Sequence, residues 1–268
     1  MLVNQTDFDR KLADNLARVE GANAPVVALS DIFPAGHSVP SHQHSRAQLL
    51  YPLKGVVSVL TAEGRWMVPP EHALWIPARL IHAVHMHGDV AMHSIYVAPD
   101  TIAVLPERAR VVGISPLLRS LIVEAAPAVQ MPGQRSELIM ALLVEEIRNL
   151  PEVPLGLPLP RDERLAALCR KFVAAPDPHE TIDGWAGRLN MSRRAFTRAF
   201  RRETGVSLST WRQQACLFAA LPRLAHGEPV TTVALDLGYD SVAAFTTMFK
   251  RMLGAPPRTY LRTTDRAG

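Results

Sequence analysis

Residues 186–205 read AGRLNMSRRAFTRAFRRETG, and residues 234–254 read ALDLGYDSVAAFTTMFKRMLG. The second stretch repeats the first about 49 residues later, with Ala, Leu, Phe, Phe and Gly at matching positions. Each stretch predicts a short helix, a tight turn and a longer helix, and Ser192 and Ser241 are suitable N-cap residues for the longer helices. The sequence therefore predicts two helix-turn-helix units, whose longer helices cover residues 193–203 and 242–253.

The longer helix of the first unit has an arginine-rich face. Four residues follow one another there at helical spacing, and they are Arg194, Thr197, Arg198 and Arg201. A solvated helix surface is the alternative reading, but such a surface usually interleaves acids, and the first acid here is Glu203. Arginine pairs with guanine edges and phosphates, and an α-helix fits the major groove. The stripe therefore favours double-stranded operator DNA as the partner.

The matching face of the second unit carries much less charge. Its members are Val242, Ala243, Thr246, Thr247 and Lys250, which predict contacts to methyl groups or through the backbone. Arg193 and Ser241, at the start of the two longer helices, complete the candidate DNA-binding set. A long helix over residues 207–226, kinked at Pro222, spans roughly 27 Å and could set the two reading helices about one DNA turn apart.

Charge divides the 268-residue chain into two parts. Residues 1–160 carry 12 basic and 15 acidic side chains (−3), whereas residues 161–268 carry 17 and 10 (+7). Eight of the ten histidines lie between His37 and His93. This asymmetry indicates two domains, one for a polyanion and one for a partner that histidine can hold.

The remaining composition narrows the protein class. Apolar runs end well before the ~18 residues that a membrane span needs, and the first residues do not resemble a signal peptide. Cys169 and Cys216 are the only cysteines, and both fall in predicted helices, so no disulfide framework is implied. We expect a cytoplasmic protein with no membrane partner.

The first half predicts short strands between residues 26 and 97, in an antiparallel barrel or sandwich. The segments are VVALSDIF, QLLYPL, GVVSVLTA, RWMVP, ALWIP, HAVHM and AMHSIYV. Helices are expected over residues 8–19, near 117–122 and over 136–150. The apolar stripe of the last one must pack on its own barrel or on a second subunit, which predicts a homodimer.

Residues 149–161 contain four prolines and one glycine, which disfavour regular structure and stiffen the connection. We therefore predict an α+β multidomain protein. Its parts are a β-barrel domain with flanking helices for effector binding and dimerisation (residues 1–150), a Pro-rich linker (151–161) and an all-α double helix-turn-helix domain (162–268).

Histidine spacing suggests a binding site inside the barrel. His42 and His44 would leave the same face of a strand, and His82 is a third candidate ligand. Three imidazoles suit a divalent ion such as Zn, Ni, Fe or Cu. Alternatively, the histidines hydrogen-bond an organic effector or one another without metal. His85, His87 and His93 are expected at alternate strand or surface positions, with His93 a candidate to face inward, and His37 and His72 in loops.

Residues 164–262 resemble the DNA-binding domain of the AraC/XylS transcriptional regulators. The resemblance rests on AGRLNMSRRAFTRAFRRETG and VALDLGYDSVAAFTTMFKRMLGAPPRTYL, and it covers both helix-turn-helix units and the helix between them. It implies base contacts by two sets of residues: Arg194, Thr197 and Arg198 in the first unit, and Val242, Ala243 and Thr247 in the second. The second set departs from the more polar residues common there.

The barrel sequence resembles the cupin motifs. Gly36, His42, His44, Gln48 and Gly55 follow the first motif, and the segment from Pro77 to His82 follows part of the second. The departures are Gln48 in place of Glu, Glu71 and Arg79 in place of glycines, and Met86 in place of Asn. Because an amide is a poorer ligand than a carboxylate, the resemblance supports the fold more firmly than the ion, and no cofactor is required.

Together these features predict a ligand-responsive transcription factor. An effector or metal in the barrel would control a DNA-binding domain, and the family resemblance favours activation, with RNA polymerase as a further partner. A metal-dependent cupin enzyme with a DNA-binding tail is the rival interpretation. The neutral Gln48 and the lack of an acid/base candidate favour a protein that is not an enzyme. An architectural DNA-binding protein without effector is a third reading, disfavoured by the barrel's aromatic- and histidine-bearing interior.

Overall fold

The computed structural model describes residues 5–101, 106–131, 133–153 and 155–259. In chain order the elements are α1 (Gln5–Gly21), β1 (Val26–Phe33), β2 (Ser38–His42), β3 (Ala47–Thr61), β4 (Gly64–Val68), β5 (His72–Ile76), β6 (His82–Val97), a 3-10 turn (Pro99–Thr101), β7 (Arg110–Gly113), α2 (Pro116–Gln130), α3 (Gln134–Arg148), β8 (Gly156–Pro158), α4 (Glu163–Ala174), α5 (Ile182–Arg188), α6 (Arg193–Thr204), α7 (Leu208–Ala225), α8 (Val230–Asp236) and α9 (Val242–Leu253). The chain forms two compact units, Met1–Ala62 with Val68–Val153 and Glu63–Met67 with Pro154–Gly268.

The first unit is an antiparallel β-structure with α2 and α3 on one face and α1 on the other. Strand β6 pairs with β1, β2 and β3, while β5 pairs with β3 and β7. Alternate residues of the strands face opposite sides, so that Leu49 and Ile95 join the core beneath α2 and α3, whereas Leu50 and Ser94 line an internal cavity. The predicted antiparallel fold is confirmed, and its two faces separate structural packing from a binding space.

Two strands are longer than the sequence pattern indicated. Residues 47–61 form one strand and residues 82–97 another, although each was expected as two strands. Gly55 and Gly88 have φ of 82° and 77°, and the β3–β6 register shifts beside Gly55. Glycine and its neighbours therefore make a bulge that bends the paired strands, rather than a turn that ends them.

The linker also contains regular structure, contrary to the expectation from its prolines. β8 pairs antiparallel with β4, with Trp66 opposite Gly156 and Gly64 opposite Pro158. Pro158 is the last residue of β8, where the lack of a backbone N–H removes no interior ladder hydrogen bond. Its carbonyl oxygen accepts a 2.8 Å hydrogen bond from Trp211 Nε1. The proline-rich segment is thus anchored by backbone pairing within the second unit.

The rest of the second unit is helical, as predicted. Ser192 Oγ accepts a hydrogen bond from Ala195 N, and Ser241 Oγ accepts one from Ala244 N, each 3.2 Å long. Both longer helices end at a left-handed glycine, Gly205 in one case and Gly254 in the other. The two predicted helix-turn-helix units are confirmed, including their caps.

Candidate functional site

The arginine face of α6 is open to solvent. Phe196 and Phe200 are buried on one side of the helix. On the other side the exposed residues include Arg194, Thr197, Arg198 and Arg201. The helical periodicity thus separates a core face from a free face that carries the predicted reading residues.

Ion pairing distinguishes the arginines of α6 from one another. Arg193 contacts Asp183 at 3.4 Å and Arg202 contacts Glu203 at 3.3 Å. Within the described ranges, no acidic side chain pairs with Arg194, Arg198 or Arg201. These three guanidinium groups keep their charge and their hydrogen-bond donors available for an external polyanion.

The corresponding face of α9 is also accessible but has fewer donors. Ala243, Thr247 and Lys250 are exposed, whereas Val242 and Thr246 are partly buried. The hydroxyl of Ser241 caps the helix. A groove beside Thr247 is lined by further polar residues that sequence reasoning did not select: Ser209, Arg212, Gln213 and Arg251. Lys250 and Arg251 are the two basic residues in the last turn of α9. Lys250 corresponds to Arg201 in the repeat and was therefore predicted to contact DNA, whereas Arg251 was not.

The first unit encloses a cavity between the strands and α1. The cavity is small, about 50 Å³, and partly open to solvent. Half of the described lining residues are apolar: Leu12, Leu16, Leu29, Phe33, Val39, Pro40, Leu50, Val84 and Met92. The polar part includes His42, Gln48, His82 and Tyr96. A cavity whose wall combines apolar surface with converging polar groups is the usual form of a small-molecule site.

Three histidines converge at one end of the cavity, where His42 and His82 line its wall and His44 lies beside them. One ring nitrogen from each of His42, His44 and His82 lies within 4.8 Å of the other two. The expectation that one strand presents both residues of the H-x-H pair is wrong, because His42 ends β2 and His44 lies in the following loop. A register shift between Val39 and His42 ends the regular pairing there. The loop, rather than strand alternation, brings the rings together.

Backbone carbonyls orient all three rings. The Nδ1 atoms of His42, His44 and His82 lie 2.9, 2.5 and 2.8 Å from the carbonyl oxygens of residues 40, 46 and 80. A carbonyl only accepts, so Nδ1 of each ring carries a proton, and Nε2 is the ring atom that can take another partner. His82 Nε2 is buried without a hydrogen-bond partner in the described part of the chain.

Gln48 adds a fourth donor atom to this cluster. Its Nε2 donates to Ser94 Oγ at 2.9 Å and to Tyr96 Oη at 3.3 Å, while its Oε1 faces His44 Nε2 at 3.1 Å. With Nδ1 of His44 protonated, its Nε2 and Gln48 Oε1 are two electron-pair donors that one metal ion can share. Ligands about 2.1 Å from one ion lie roughly 3.0–3.4 Å apart when adjacent, so this pair fits a shared metal. The donor set is therefore chemically suited to a divalent ion.

Burial keeps the imidazoles in the form that a metal requires. Desolvation lowers the pKa of His42 and lowers that of His82 to about 3, with the neighbouring histidines adding to the effect in both cases. Neutral imidazole is a ligand, whereas imidazolium is not, so at neutral pH the buried rings need not lose a proton to bind a cation.

α1 contributes a second polar group that sequence reasoning missed. Lys11 forms an ion pair with Asp31, and Asn15 Nδ2 donates to the same carboxylate at 3.0 Å. Asp31 is the only carboxylate among the described residues that line the cavity. Asp31 lies on β1 two residues from both Leu29 and Phe33, which line the cavity. Because side chains alternate along a strand, the sequence could have predicted that Asp31 faces the same side.

The other histidines do not join the cluster. His37 lies in a loop as predicted and lines the cavity, whereas His72 is the buried first residue of β5 instead of a loop residue. His93 lies two residues from Ile95 on β6, so its side chain faces the side covered by α2 and α3 rather than the cavity. His85 and His87 lie near each other on β6, with ring centroids 4.7 Å apart, and bond to Ser38 and Ser58.

No helix in the described ranges has the length and apolar character needed to cross a membrane.

Comparisons with known proteins agree with both halves of the structure. Residues 25–175 match the model of an AraC-like ligand binding domain, and residues 185–263 match that of a helix-turn-helix domain. The HTH-type transcriptional regulator NimR of Escherichia coli (strain K12) is 33% identical over 224 residues, which cover 83% of this chain and 82% of NimR.

Two further similarities are more distant. The arabinose operon regulatory protein of Salmonella typhimurium is 28% identical over 163 residues, covering 58% of this chain and 55% of that protein. The crystal structure of ToxT from Vibrio cholerae O395 aligns with a TM-score of 0.38 and 9% identity, over 90% of this chain and 98% of the other.

Proposed function

This chain belongs to the AraC family of transcriptional regulators, and from that premise we propose that it reads operator DNA mainly through α6 and takes its signal in the cavity of the first unit. The observation that carries the DNA proposal is the exposed group of three arginines without acidic partners, on a helix whose neighbouring arginines are neutralised. Three such charges can neutralise phosphates and pair with guanine edges.

The DNA proposal is tested with duplexes from the protein's own promoter region. Arg198→Ala is expected to lower affinity by ~1–3 kcal/mol and to relax one base preference, because a bidentate contact is lost. Arg170→Ala is the matched control, since it removes an exposed, acid-paired arginine from α4. Fluorescence anisotropy over a series of salt concentrations measures both variants. An unchanged footprint and salt slope for Arg198→Ala would remove this residue from the reading surface.

We propose that the signal involves a divalent metal, with Zn, Ni, Fe and Cu as candidates. His42, His44 and His82 would hold it through Nε2, and Gln48 through Oε1. Support comes from the orphaned Nε2 of His82 and from the two acceptors of His44 and Gln48 that face each other. A bound metal would supply a positive centre for a donor atom of an effector, and the protein's own part is to orient the imidazoles and exclude water. Binding that favours one of two states differentially would change DNA affinity.

The metal is tested by elemental analysis of protein purified without chelators and then loaded with each ion. The double variant His42→Ala with His44→Ala is expected to lose stoichiometric metal, while circular dichroism shows a folded barrel. His85→Ala, in an exposed histidine on the same strand as His82, is the matched control and keeps the metal. Wild-type protein that takes up no ion after loading would refute this part of the proposal.

A homodimer through α3 is a further part of the proposal. Leu143 and Ile147 of α3 are buried in the core of the first unit, whereas Leu138 and Leu142 are 64% and 43% exposed. The exposed leucines lie in a groove with Leu121 and Arg135, an apolar surface that a second copy can cover. Leu138→Glu with Leu142→Glu is expected to shift the chain to monomer in sedimentation at micromolar concentration, whereas Glu145→Gln on the same helix does not. A monomeric wild type would contradict the dimer.

We propose that the barrel senses and does not catalyse. The only carboxylate among its described lining residues, Asp31, is engaged by Lys11 and Asn15 and so is a poor general base. Because the DNA target lies in the cytoplasm, we place the protein there. Activation with RNA polymerase as partner follows only from the family resemblance, and in vitro transcription from the bound promoter tests its sign.

A further inference from the structure

We propose that the effector of the cavity is an organic anion with an apolar body, whose anionic atom completes the metal site. This inference rests on the metal proposed above and names the chemical class of the molecule that joins it. It follows from three properties of the described residues: the charge of the donor set, the state of the nearby ionic groups and the nature of the cavity wall.

The donor set itself carries no charge. An imidazole that ligates a metal is neutral, which covers His42, His44 and His82, and Gln48 offers an amide oxygen. A divalent ion held by these four donors keeps its full double charge. A buried charge without compensation is unfavourable by several kcal/mol even after relaxation, so the site calls for an anionic ligand.

The ionic groups near the donors do not supply that charge. Asp31 is paired with Lys11 and also accepts from Asn15. Hydrogen bonds from the side chain and then the backbone N–H of Ser45 hold the pKa of the Glu20 carboxyl below its usual range, but buried Arg46 lies close by and offsets the negative charge. Arg46 donates to the backbone carbonyls of residues 22 and 24. The local fixed charges therefore cancel, and the charge of the metal remains.

The wall determines the rest of the ligand. Aliphatic and aromatic side chains surround the donors from β1, β3, β6 and α1, among them Leu16, Phe33, Leu50 and Met92. Hydroxide or chloride would compensate charge but would leave this surface unfilled. A small molecule with one anionic group and an apolar body contacts both parts of the cavity.

Gln48 allows a sharp test because Gln48→Glu supplies the missing charge from the protein. Ser94 and Tyr96 can turn their hydroxyl hydrogens toward the new carboxylate, so both hydrogen bonds survive the substitution. The variant is expected to bind metal more tightly and to bind an anionic ligand more weakly. Gln43→Glu, in an exposed residue between His42 and His44, adds the same charge without contributing to the donor set and is the matched control.

The experiment uses the full chain loaded with Co²⁺, whose d–d absorption reports direct coordination, and calorimetry for affinity. The probes are benzoate, its neutral isostere benzamide, and acetate, which lacks the apolar body. Benzoate is expected to bind at least about tenfold more tightly than either and to change the Co²⁺ spectrum. In Gln48→Glu the benzoate affinity falls at least about tenfold, while in Gln43→Glu it stays near the wild-type value.

The outcomes separate this inference from the metal proposal. If Co²⁺ binds but benzoate and benzamide bind equally, or Gln48→Glu leaves benzoate affinity unchanged, the metal site stands and the anionic effector is refuted. If no metal binds, both proposals fail, while the DNA-binding assays are unaffected. If metal-free protein binds benzamidine, a cation, more tightly than loaded protein binds benzoate, the histidine lone pairs serve a cationic effector and the inference is overturned.

Discussion

The two helix-turn-helix units share a scaffold but differ in the face they present. Position by position, α6 carries Arg194, Arg198 and Arg201 where α9 carries Ala243, Thr247 and Lys250. In both units the N-cap serine, the two core phenylalanines and the closing glycine occupy the same places. The buried and capping positions, which the two repeats share, specify the fold. The exposed positions differ between the repeats and set the strength of DNA contact.

The largest expected effect tests whether the two cores are equivalent. Phe196→Ala and Phe245→Ala each remove a fully buried ring at matching positions and are expected to destabilise their units by about 3–5 kcal/mol. Chemical denaturation followed by circular dichroism measures the loss. Tryptophan fluorescence shows which helix-turn-helix unit has lost stability. The ring centroids of Trp185 and Phe196 are 6.3 Å apart, whereas Phe245 lies beside the ring of Tyr239, with a centroid distance of 5.4 Å. A loss in one unit more than twice that in the other would break the scaffold equivalence.

A reciprocal exchange tests the difference between the reading faces. Arg198→Thr gives α6 the residue of α9 and is expected to reduce operator affinity by ~1–3 kcal/mol. Thr247→Arg gives α9 the residue of α6, and it is expected to steepen the dependence of log K on log[salt] by about one, through a new phosphate contact. Anisotropy titrations at several salt concentrations measure both. Equal losses from Arg198→Thr and Thr247→Ala would show that the second unit reads DNA as strongly as the first.

The smallest effect concerns the caps. Ser192→Ala and Ser241→Ala each remove a side-chain acceptor from a helix N-terminus and are expected to reduce stability by ~1 kcal/mol. Ser207→Ala, at the cap of α7, is a positive control of the same kind. Ser241 is also a candidate DNA contact. If Ser241→Ala lowers DNA affinity by more free energy than it lowers stability, and Ser192→Ala does not, the cap serine contacts DNA in the second unit only.

The accuracy of the sequence predictions follows the range of the interactions involved. The helices of the repeat were predicted almost to the residue because their caps and apolar spacing act within one or two turns. The predicted strand segments do form strands, but β2 and β7 were not among them. β3 and β6 were each divided in two, since Gly55 and Gly88 occur in bulges as well as in turns. The strand β8 was missed because its pairing with β4 joins residues about 90 positions apart.

The candidate sensor site was predicted in composition but not in construction. The three histidines and Gln48 were selected, yet they meet through a loop after β2 and not along one strand face. Strand alternation could have placed Asp31 on the cavity wall with Leu29 and Phe33, but nothing local paired it with Lys11 of α1. Long-range packing alone brings these two side chains to the same chamber.

The sequence by itself determined the two-part organisation, the doubled helix-turn-helix scaffold and the arginine-rich face, since these depend on charge and on local periodicity. Only the tertiary structure decided which arginines remain unpaired, which atoms of the imidazoles are available, and that the carboxylate in the cavity is already neutralised. The physical reason is that hydrogen bonds and ion pairs form between residues that are distant in the sequence and neighbours in the fold. Those neighbours determine whether a charged group or a lone pair interacts within the protein or remains available to a partner.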